Sequence, residues 1–240
     1  MSRWRNFKLK TRSVYKRITE PVGKFFGKFN ISPNAITMIS GVFAITTATM
    51  YAFNGRVGSF QFWWLIGFAL SIITGFIDVI DGSVARATGK TTMFGKVLDP
   101  VMDRFAEFCF LIGISIGIYD YAPFTNPTLA TIPVGIWCLF SFAGMIFASY
   151  SRARGESVAQ VSVESVGIME RREKLIILFL GNLLYYWFHV AMIIAIMIVG
   201  LLSFITTIQR MLFIRKLMIE LESKEKVEKE AEDKTEETTN

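Results

Sequence analysis

The sequence predicts an all-α integral membrane protein with six transmembrane helices and an N-terminal amphipathic helix at the membrane surface. Hydrophobic residues make up 52% of the 240 positions, and the mean hydropathy is +0.43. These residues form runs of about 20, which is long enough to cross a hydrocarbon layer of about 30 Å as helices. Charged residues, 19% of the chain, cluster between the runs and at both ends.

Residues 1–30 form a basic N-terminal arm. Within it, residues 14–29 place apolar side chains on one helical stripe with lysines beside it, as in a helix that lies on a membrane surface. The alternative is a disordered basic arm attracted to anionic lipid. The arm lacks the apolar core and cleavage site of a signal peptide, so we expect the first span to direct its own insertion.

The six predicted spans cover residues 34–53, 60–80, 97–119, 128–150, 172–187 and 189–209. Together they make one membrane domain, residues 31–210. Residues 211–240 form a charged tail, which is either a solvated helix or a disordered segment. Cys109 and Cys138 fall inside spans, where a lone thiol is usually a small buried hydrophobe, so neither a disulfide nor a thiolate metal site is expected.

Lysine and arginine indicate the orientation of the chain. They occur in the N-terminal arm, in the connection between the second and third spans, and in the connection between the fourth and fifth spans. Such residues concentrate in cytoplasmic loops. The pattern predicts a multi-pass protein of the cell membrane with both termini in the cytoplasm.

Four aspartates lie at the cytoplasmic ends of the second and third spans. Asp78 and Asp81 are three residues apart, and Asp99 and Asp103 are four apart, so each pair shares one helical face. Carboxylates near membrane depth are costly, which makes them functional candidates. Crowded carboxylates repel one another unless a cation neutralises them. Oxygen ligands favour magnesium or manganese, whereas zinc prefers the cysteine and histidine that this cluster lacks.

Short side chains accompany the first aspartate pair. Gly75, Asp78, Gly82 and Ala85 form a ridge along the second span, which leaves room for a nucleotide headgroup; close helix packing produces the same pattern. Arg86 follows, and its planar guanidinium suits a phosphate.

The aspartates belong to a longer motif that resembles the signature of CDP-alcohol phosphatidyltransferases. Its positions are Asp78-x2-Asp81-Gly82-x2-Ala85-Arg86-x8-Gly95-x3-Asp99-x3-Asp103. Pro33 and Asn34 with Thr37 are similar to the PNxxT segment of the same family, and the resemblance extends from about Asn30 to the sixth span. It implies a metal-dependent homodimeric enzyme that transfers a lipid phosphate from a CDP-activated lipid to an alcohol at the cytoplasmic surface.

The resemblance also implies a role for each matched residue. Asp78, Asp81 and Asp99 correspond to ligands of two Mg²⁺ or Mn²⁺ ions, and Asp103 corresponds to a ligand that is also the general base. The residues that correspond to the binding site of the CDP-lipid are Asn34, Thr37, Asp78, Gly82, Ala85, Arg86 and Gly95. The alternatives for its lipid are a diacylglycerol and an archaeal ether lipid.

A second basic cluster suggests the acceptor. The segments at 149–156 and 167–174 resemble the SYxKARAE and GxxER stretches of prokaryotic phosphatidylinositol-phosphate and archaetidylinositol-phosphate synthases, with Arg152 in place of the usual lysine and Gly155 in place of alanine. This implies an acceptor-phosphate site formed by Ser149, Arg152, Arg154, Arg171 and Lys174. Inositol phosphate is then favoured over glycerol phosphate or serine. The alternative is that these cations anchor lipid headgroups.

An ion-coupled transporter is the alternative from another class, since intramembrane aspartates also bind protons or sodium. The aspartates here lie beside cytoplasmic loops and not at mid-span, and no internal repeat is visible in the sequence. We therefore favour the enzyme. Its expected partners are the CDP-activated lipid, the polyol phosphate, membrane lipid and a second copy of the chain, and no nucleic acid.

Overall fold

The computed structural model describes residues 32–54, 60–89, 92–118, 133–161, 163 and 166–239, together with single helical positions at Pro21 and Phe25. Within these ranges the side chains at 60–61, 78–79, 81–82, 85–88, 224–225 and 227–239 lie outside the description. Apart from Pro21 and Phe25, the amphipathic helix predicted over 14–29 also lies outside the described residues.

All regular structure in the described ranges is helical, which confirms the all-α prediction. The helices are α1 (Pro33–Phe53), α2 (Phe60–Thr88), α3 (Gly95–Gly117), α4 (Val134–Ala159), α5 (Arg171–Leu184) and α6 (Val190–Thr239). Three described helices are long and apolar enough to cross a membrane, namely α1, α4 and the Val190–Ser223 part of α6. Helix α2 contains a shorter apolar stretch, Phe62–Ile77.

Several helices extend beyond the apolar runs from which they were predicted. Helix α2 continues to Thr88, so the whole Asp78–Arg86 part of the motif is helical. Helix α4 continues to Ala159. Helix α6 runs unbroken to Thr239, which makes the backbone of the charged tail helical. The tail is rich in glutamate and lysine, which are good helix formers. Helix α5, with 14 residues, is about 21 Å long and so shorter than the hydrocarbon layer.

The described chain forms two compact units, residues 1–135 and 136–240. In the first, α1 packs against both α2 and α3. The backbone of Ala48 lies against Gly113, and the carbonyl of Tyr51 lies against Gly117, so α1 and α3 run in the same direction. A Cβ atom on Gly113 would lie 2.5 Å from the Ala48 oxygen. Only glycine permits this approach, as in other closely packed membrane helices.

Helix α2 returns along α1 in the opposite direction. Gly67 lies against the ring of Tyr51, and the ring centroids of Trp63 and Phe53 are 5.6 Å apart, so later residues of α2 meet earlier residues of α1. From Gly67, positions 78 and 81 lie 11 and 14 residues further on, which is about 16 and 21 Å along the helix axis. This brings the backbone of both motif aspartates back to the end of the unit where α1 begins.

In the second unit, α5 packs against α6, and α4 also lies along α6. Gly144 contacts the carbonyl of Gly200, and Gly155 contacts the side chain of Ile214, so α4 and α6 are parallel. Cys138 is buried in α4, and Cys109 is buried in α3 of the first unit. Both burials agree with the prediction that these thiols act as small hydrophobes.

Candidate active site

A hydrogen bond joins the two motif segments of the first unit. The Thr37 hydroxyl lies 3.1 Å from Oδ1 of Asp99 and 3.1 Å from the Pro33 carbonyl oxygen. The hydroxyl has a single proton, and the carboxylate is a stronger acceptor than the carbonyl, so the proton is directed to Asp99. Thr37 is only 3% exposed, whereas Asp99 is exposed. A buried hydroxyl on α1 thus orients an accessible carboxylate on α3.

The beginnings of α1 and α3 are also connected through Thr92. Its hydroxyl oxygen accepts the Gly95 N–H at 2.9 Å and lies 3.3 Å from Nδ2 of Asn34. A Cβ atom on Gly95 would be 2.9 Å from Oδ1 of Asn34. The motif glycine therefore allows the Asn34 side chain to approach the start of α3. Sequence reasoning identified Asn34 and Gly95 but missed Thr92, which lies at an unspecified position of the motif between Arg86 and Gly95.

Asp103 follows Asp99 by one helical turn on α3, so the two side chains leave the same face. Asp103 is half-buried, and Asp99 is exposed. On the next turn, Arg104 pairs with Glu107 at 2.7 Å. Two carboxylates thus lie one turn apart on the same face of α3, and Thr37 orients the first of them.

The donor atoms of this region fit a hard divalent cation. Asp99 can accept the Thr37 hydroxyl with one oxygen and ligate a cation with the other, because a carboxylate has two acceptor oxygens. Helix α2 brings the backbone of Asp78 and Asp81 to the same end of the unit, while their side chains lie outside the described residues. Among the side chains that are described, no group of three or more potential ligands occurs. The oxygen donors that are described suit Mg²⁺ or Mn²⁺.

The first half of the predicted acceptor cluster lies at the end of α4. Ser149 and Arg152 are three residues apart on one face, and Arg154 is exposed. Nε of Arg152 lies 3.2 Å from Oε1 of Glu156, and the same oxygen accepts the Val163 N–H at 3.0 Å. Exposed ion pairs contribute little stability. This one instead restricts the direction of the Arg152 guanidinium.

The second half of the cluster lies in the first turn of α5. Arg171 is exposed, and Lys174 is buried, with 6% of its surface exposed. The loop before this turn is attached to α6 by Arg210, which is itself only 5% exposed. Its Nε donates to the Val166 carbonyl at 2.9 Å, and its Nη1 donates to the carbonyl of Ala148 on α4.

Arg210 therefore connects the two predicted acceptor segments within one unit. Sequence reasoning missed it because an arginine at the end of an apolar run is ordinarily a membrane anchor. Its position directly after the predicted sixth span does not distinguish it from such an anchor. The carbonyl groups that it binds are 44 and 62 residues away in the chain.

Comparison with known proteins agrees with these motifs. The profile of the family described as CDP-alcohol phosphatidyltransferase matches residues 30–209. The archaetidylinositol phosphate synthase of Pyrococcus horikoshii is 35% identical over 201 residues, which are 84% of this chain and 93% of that protein. The phosphatidylinositol phosphate synthase of Streptomyces avermitilis is 31% identical over 212 residues, or 85% and 81%.

Solved structures show the same fold. The phosphatidylinositol phosphate synthase of Mycobacterium tuberculosis with CDP-DAG bound aligns with a TM-score of 0.67 at 23% identity, covering 82% of this chain and 94% of that one. The same synthase in complex with manganese and citrate aligns with a TM-score of 0.65 at 23% identity, covering 82% and 88%.

Proposed function

The chain belongs to the CDP-alcohol phosphatidyltransferase family, and from this premise we propose that it transfers a lipid phosphate group from a CDP-activated lipid to inositol phosphate and releases CMP. Membership makes the chain a transferase of phospholipid biosynthesis. One observation supports inositol phosphate as the acceptor. Relatives that are 31–35% identical over 84–85% of the chain are archaetidylinositol or phosphatidylinositol phosphate synthases.

We propose that two divalent ions, Mg²⁺ or Mn²⁺, are held by Asp78, Asp81, Asp99 and Asp103. The bound ions would neutralise the pyrophosphate and make CMP a better leaving group. The relative from Mycobacterium tuberculosis was solved with manganese. The hydrogen bond from Thr37 to Asp99 supports this assignment, since partners behind metal ligands orient them.

The protein residues then have separate tasks. Asp103 accepts the proton of the attacking hydroxyl as general base. The hydroxyl oxygen bonds to the lipid-bearing phosphorus while the bond from that phosphorus to the CMP oxygen breaks. The residues that bind the CDP-lipid are Asn34, Thr37, Asp78, Gly82, Ala85, Arg86 and Gly95. The contact of Asn34 with Gly95 and Thr92 supports the placement of this site at the beginning of α1 and α3.

The phosphate of the acceptor binds to the basic cluster of the second unit, which consists of Ser149, Arg152, Arg154, Arg171 and Lys174. Charge-assisted hydrogen bonds from arginine to phosphate are strong and directional. The restriction of Arg152 by Glu156 supports this role. So does the link through Arg210 between α4 and the loop before α5.

We further propose the membrane arrangement that this chemistry requires. The chain crosses the cell membrane six times, with both termini and the active site in the cytoplasm, and it forms a homodimer. Residues 1–30 are a basic arm with an interfacial helix, 31–210 the membrane domain and 211–240 a cytoplasmic tail. Helices α1 and α3 run in the same direction and α2 runs in the opposite one, which supports alternating spans. The distribution of basic loops supports the orientation.

The test is CMP release by the purified protein. CDP-diacylglycerol and a CDP-activated archaeal ether lipid would each be offered with inositol phosphate, glycerol phosphate, serine or unphosphorylated inositol, in Mg²⁺ or Mn²⁺. We expect turnover with inositol phosphate, and none after chelation of the metal or in Asp99→Asn. Turnover with glycerol phosphate and none with inositol phosphate would overturn the assignment of inositol phosphate as the acceptor. Absence of CMP with every acceptor would overturn the activity.

A further inference from the structure

One turn of α6 holds the loop that precedes α5. The Thr206 hydroxyl oxygen accepts the Met169 N–H at 2.9 Å, and Oε1 of Gln209 accepts the Ile168 N–H at 3.0 Å. Two consecutive backbone amides of the loop are thus bound by side chains of α6, which lie 37 and 41 residues further along the chain.

Gly167 brings the loop directly against this turn. Its φ is +112°, a conformation that glycine adopts without strain. A Cβ atom at this position would collide with the methyl group of Thr206, and Thr206 is completely buried. The loop therefore lies directly against α6, with the amide N–H groups of Ile168 and Met169 directed at the two acceptor oxygens.

The position of the loop determines where α5 begins. Glu170 is the N-cap residue with an extended backbone, and its side chain accepts from Arg172 in place of a capping hydrogen bond. The orientation of the first turn of α5 then depends on the residues just before it. That turn carries Arg171 and Lys174, which the proposed function assigns to the acceptor phosphate.

We propose that Thr206 and Gln209 are positioning residues for the acceptor site. By binding the amides of Met169 and Ile168 they hold the first turn of α5 so that Arg171 and Lys174 converge on the phosphate of the acceptor. This inference rests on the proposed function, since it concerns the same acceptor site. The ligand class is a polyol phosphate, and the two side chains act on it only through the loop.

Neighbouring Thr207 provides a matched control. Its hydroxyl donates to the Ser203 carbonyl within α6 at 2.9 Å. Thr206→Val and Gln209→Met remove the side-chain oxygens that accept from the two loop amides, with little change in side-chain volume. Thr207→Val removes a hydroxyl from the same turn, but in the described contacts that hydroxyl bonds only within α6. Thr206→Ser keeps the oxygen acceptor and changes no charge.

The measurement is steady-state CMP release, with the KM of each substrate determined separately. We expect Thr206→Val to raise the KM for inositol phosphate about three- to tenfold, the effect of losing one buried hydrogen bond. Gln209→Met should raise the same KM by less, because its hydrogen bond to the Ile168 amide is exposed and water replaces part of it. The KM for the CDP-lipid should not change. Thr206→Ser and Thr207→Val should resemble wild type.

Hydrogen exchange of the peptide that spans 166–170 provides a second measurement. Faster exchange in Thr206→Val and Gln209→Met with an unchanged acceptor KM would overturn the positioning role, as would an equal rise of KM for both substrates. If wild type uses another acceptor, the proposed acceptor fails, and the positioning role is decided by the KM for the acceptor that is used. If wild type releases no CMP at all, both proposals fail.

Discussion

Thr37→Val removes the hydroxyl that orients Asp99 and leaves a side chain of nearly the same shape. Thr37 is 3% exposed, so water has little access to the space left by the hydroxyl. The carboxylate loses a donor 3.1 Å from its Oδ1. The packing of α1 against α3 should persist, because the methyl groups of valine fill the same space. The perturbation therefore affects the direction of one carboxylate more than the stability of the fold.

The size of the effect follows from the exposure of the two partners. A hydrogen bond to a charged group contributes about 1.5–3 kcal/mol, which corresponds to roughly ten- to a hundredfold in affinity. Loss of a partner behind a metal ligand lowers metal affinity by the same range. Asp99 is exposed, so water can replace the lost donor in part. We therefore expect an effect at the lower end, about tenfold.

The assay is CMP release as a function of Mg²⁺ or Mn²⁺ concentration. Thr37→Val should raise the half-saturating metal concentration about tenfold. Thr37→Ser keeps the hydroxyl and should behave as wild type. Thr47→Val is the matched control, since Thr47 lies on the same helix, is equally buried and donates to the Phe43 carbonyl. An unchanged metal requirement in Thr37→Val, or the same shift in Thr47→Val, would refute the reasoning.

Three further predictions concern other parts of the molecule. Asp103→Asn should abolish turnover and keep CDP-lipid binding; near-normal turnover would remove Asp103 as the general base. Arg152→Ala should raise the KM for inositol phosphate roughly ten- to a hundredfold through loss of a charge-assisted contact, and an unaltered KM would make Arg152 a lipid anchor. Cysteines at Ser157 and Asn126 should react with an impermeant reagent from the cytoplasmic and external sides respectively, and labelling from one side would contradict six spans.

The sequence contained the local information on this site. Asp99 and Asp103 are one helical turn apart, so a helix places them on one face before any tertiary contact forms. The basic residues between the apolar runs, which predict the orientation, can likewise be identified without any tertiary contact. Hydropathy, however, identifies the apolar segment that can lie in the hydrocarbon layer, and it does not show where the helix ends. Helices α2 and α4 therefore continue 8 and 9 residues past the ends predicted from their apolar runs, at residues 80 and 150.

The partners of these residues were decided only by the tertiary structure. Thr92 meets Asn34 across 58 residues of chain, and Thr206 meets the Met169 amide across 37. No periodicity connects such positions, because which side chain reaches a given amide depends on how two helices pack. The sequence by itself determined the carboxylates, the helices that carry them and the family. The structure determined which hydroxyl orients Asp99 and which turn of α6 holds the loop before α5, since these contacts exist only once the helices are packed.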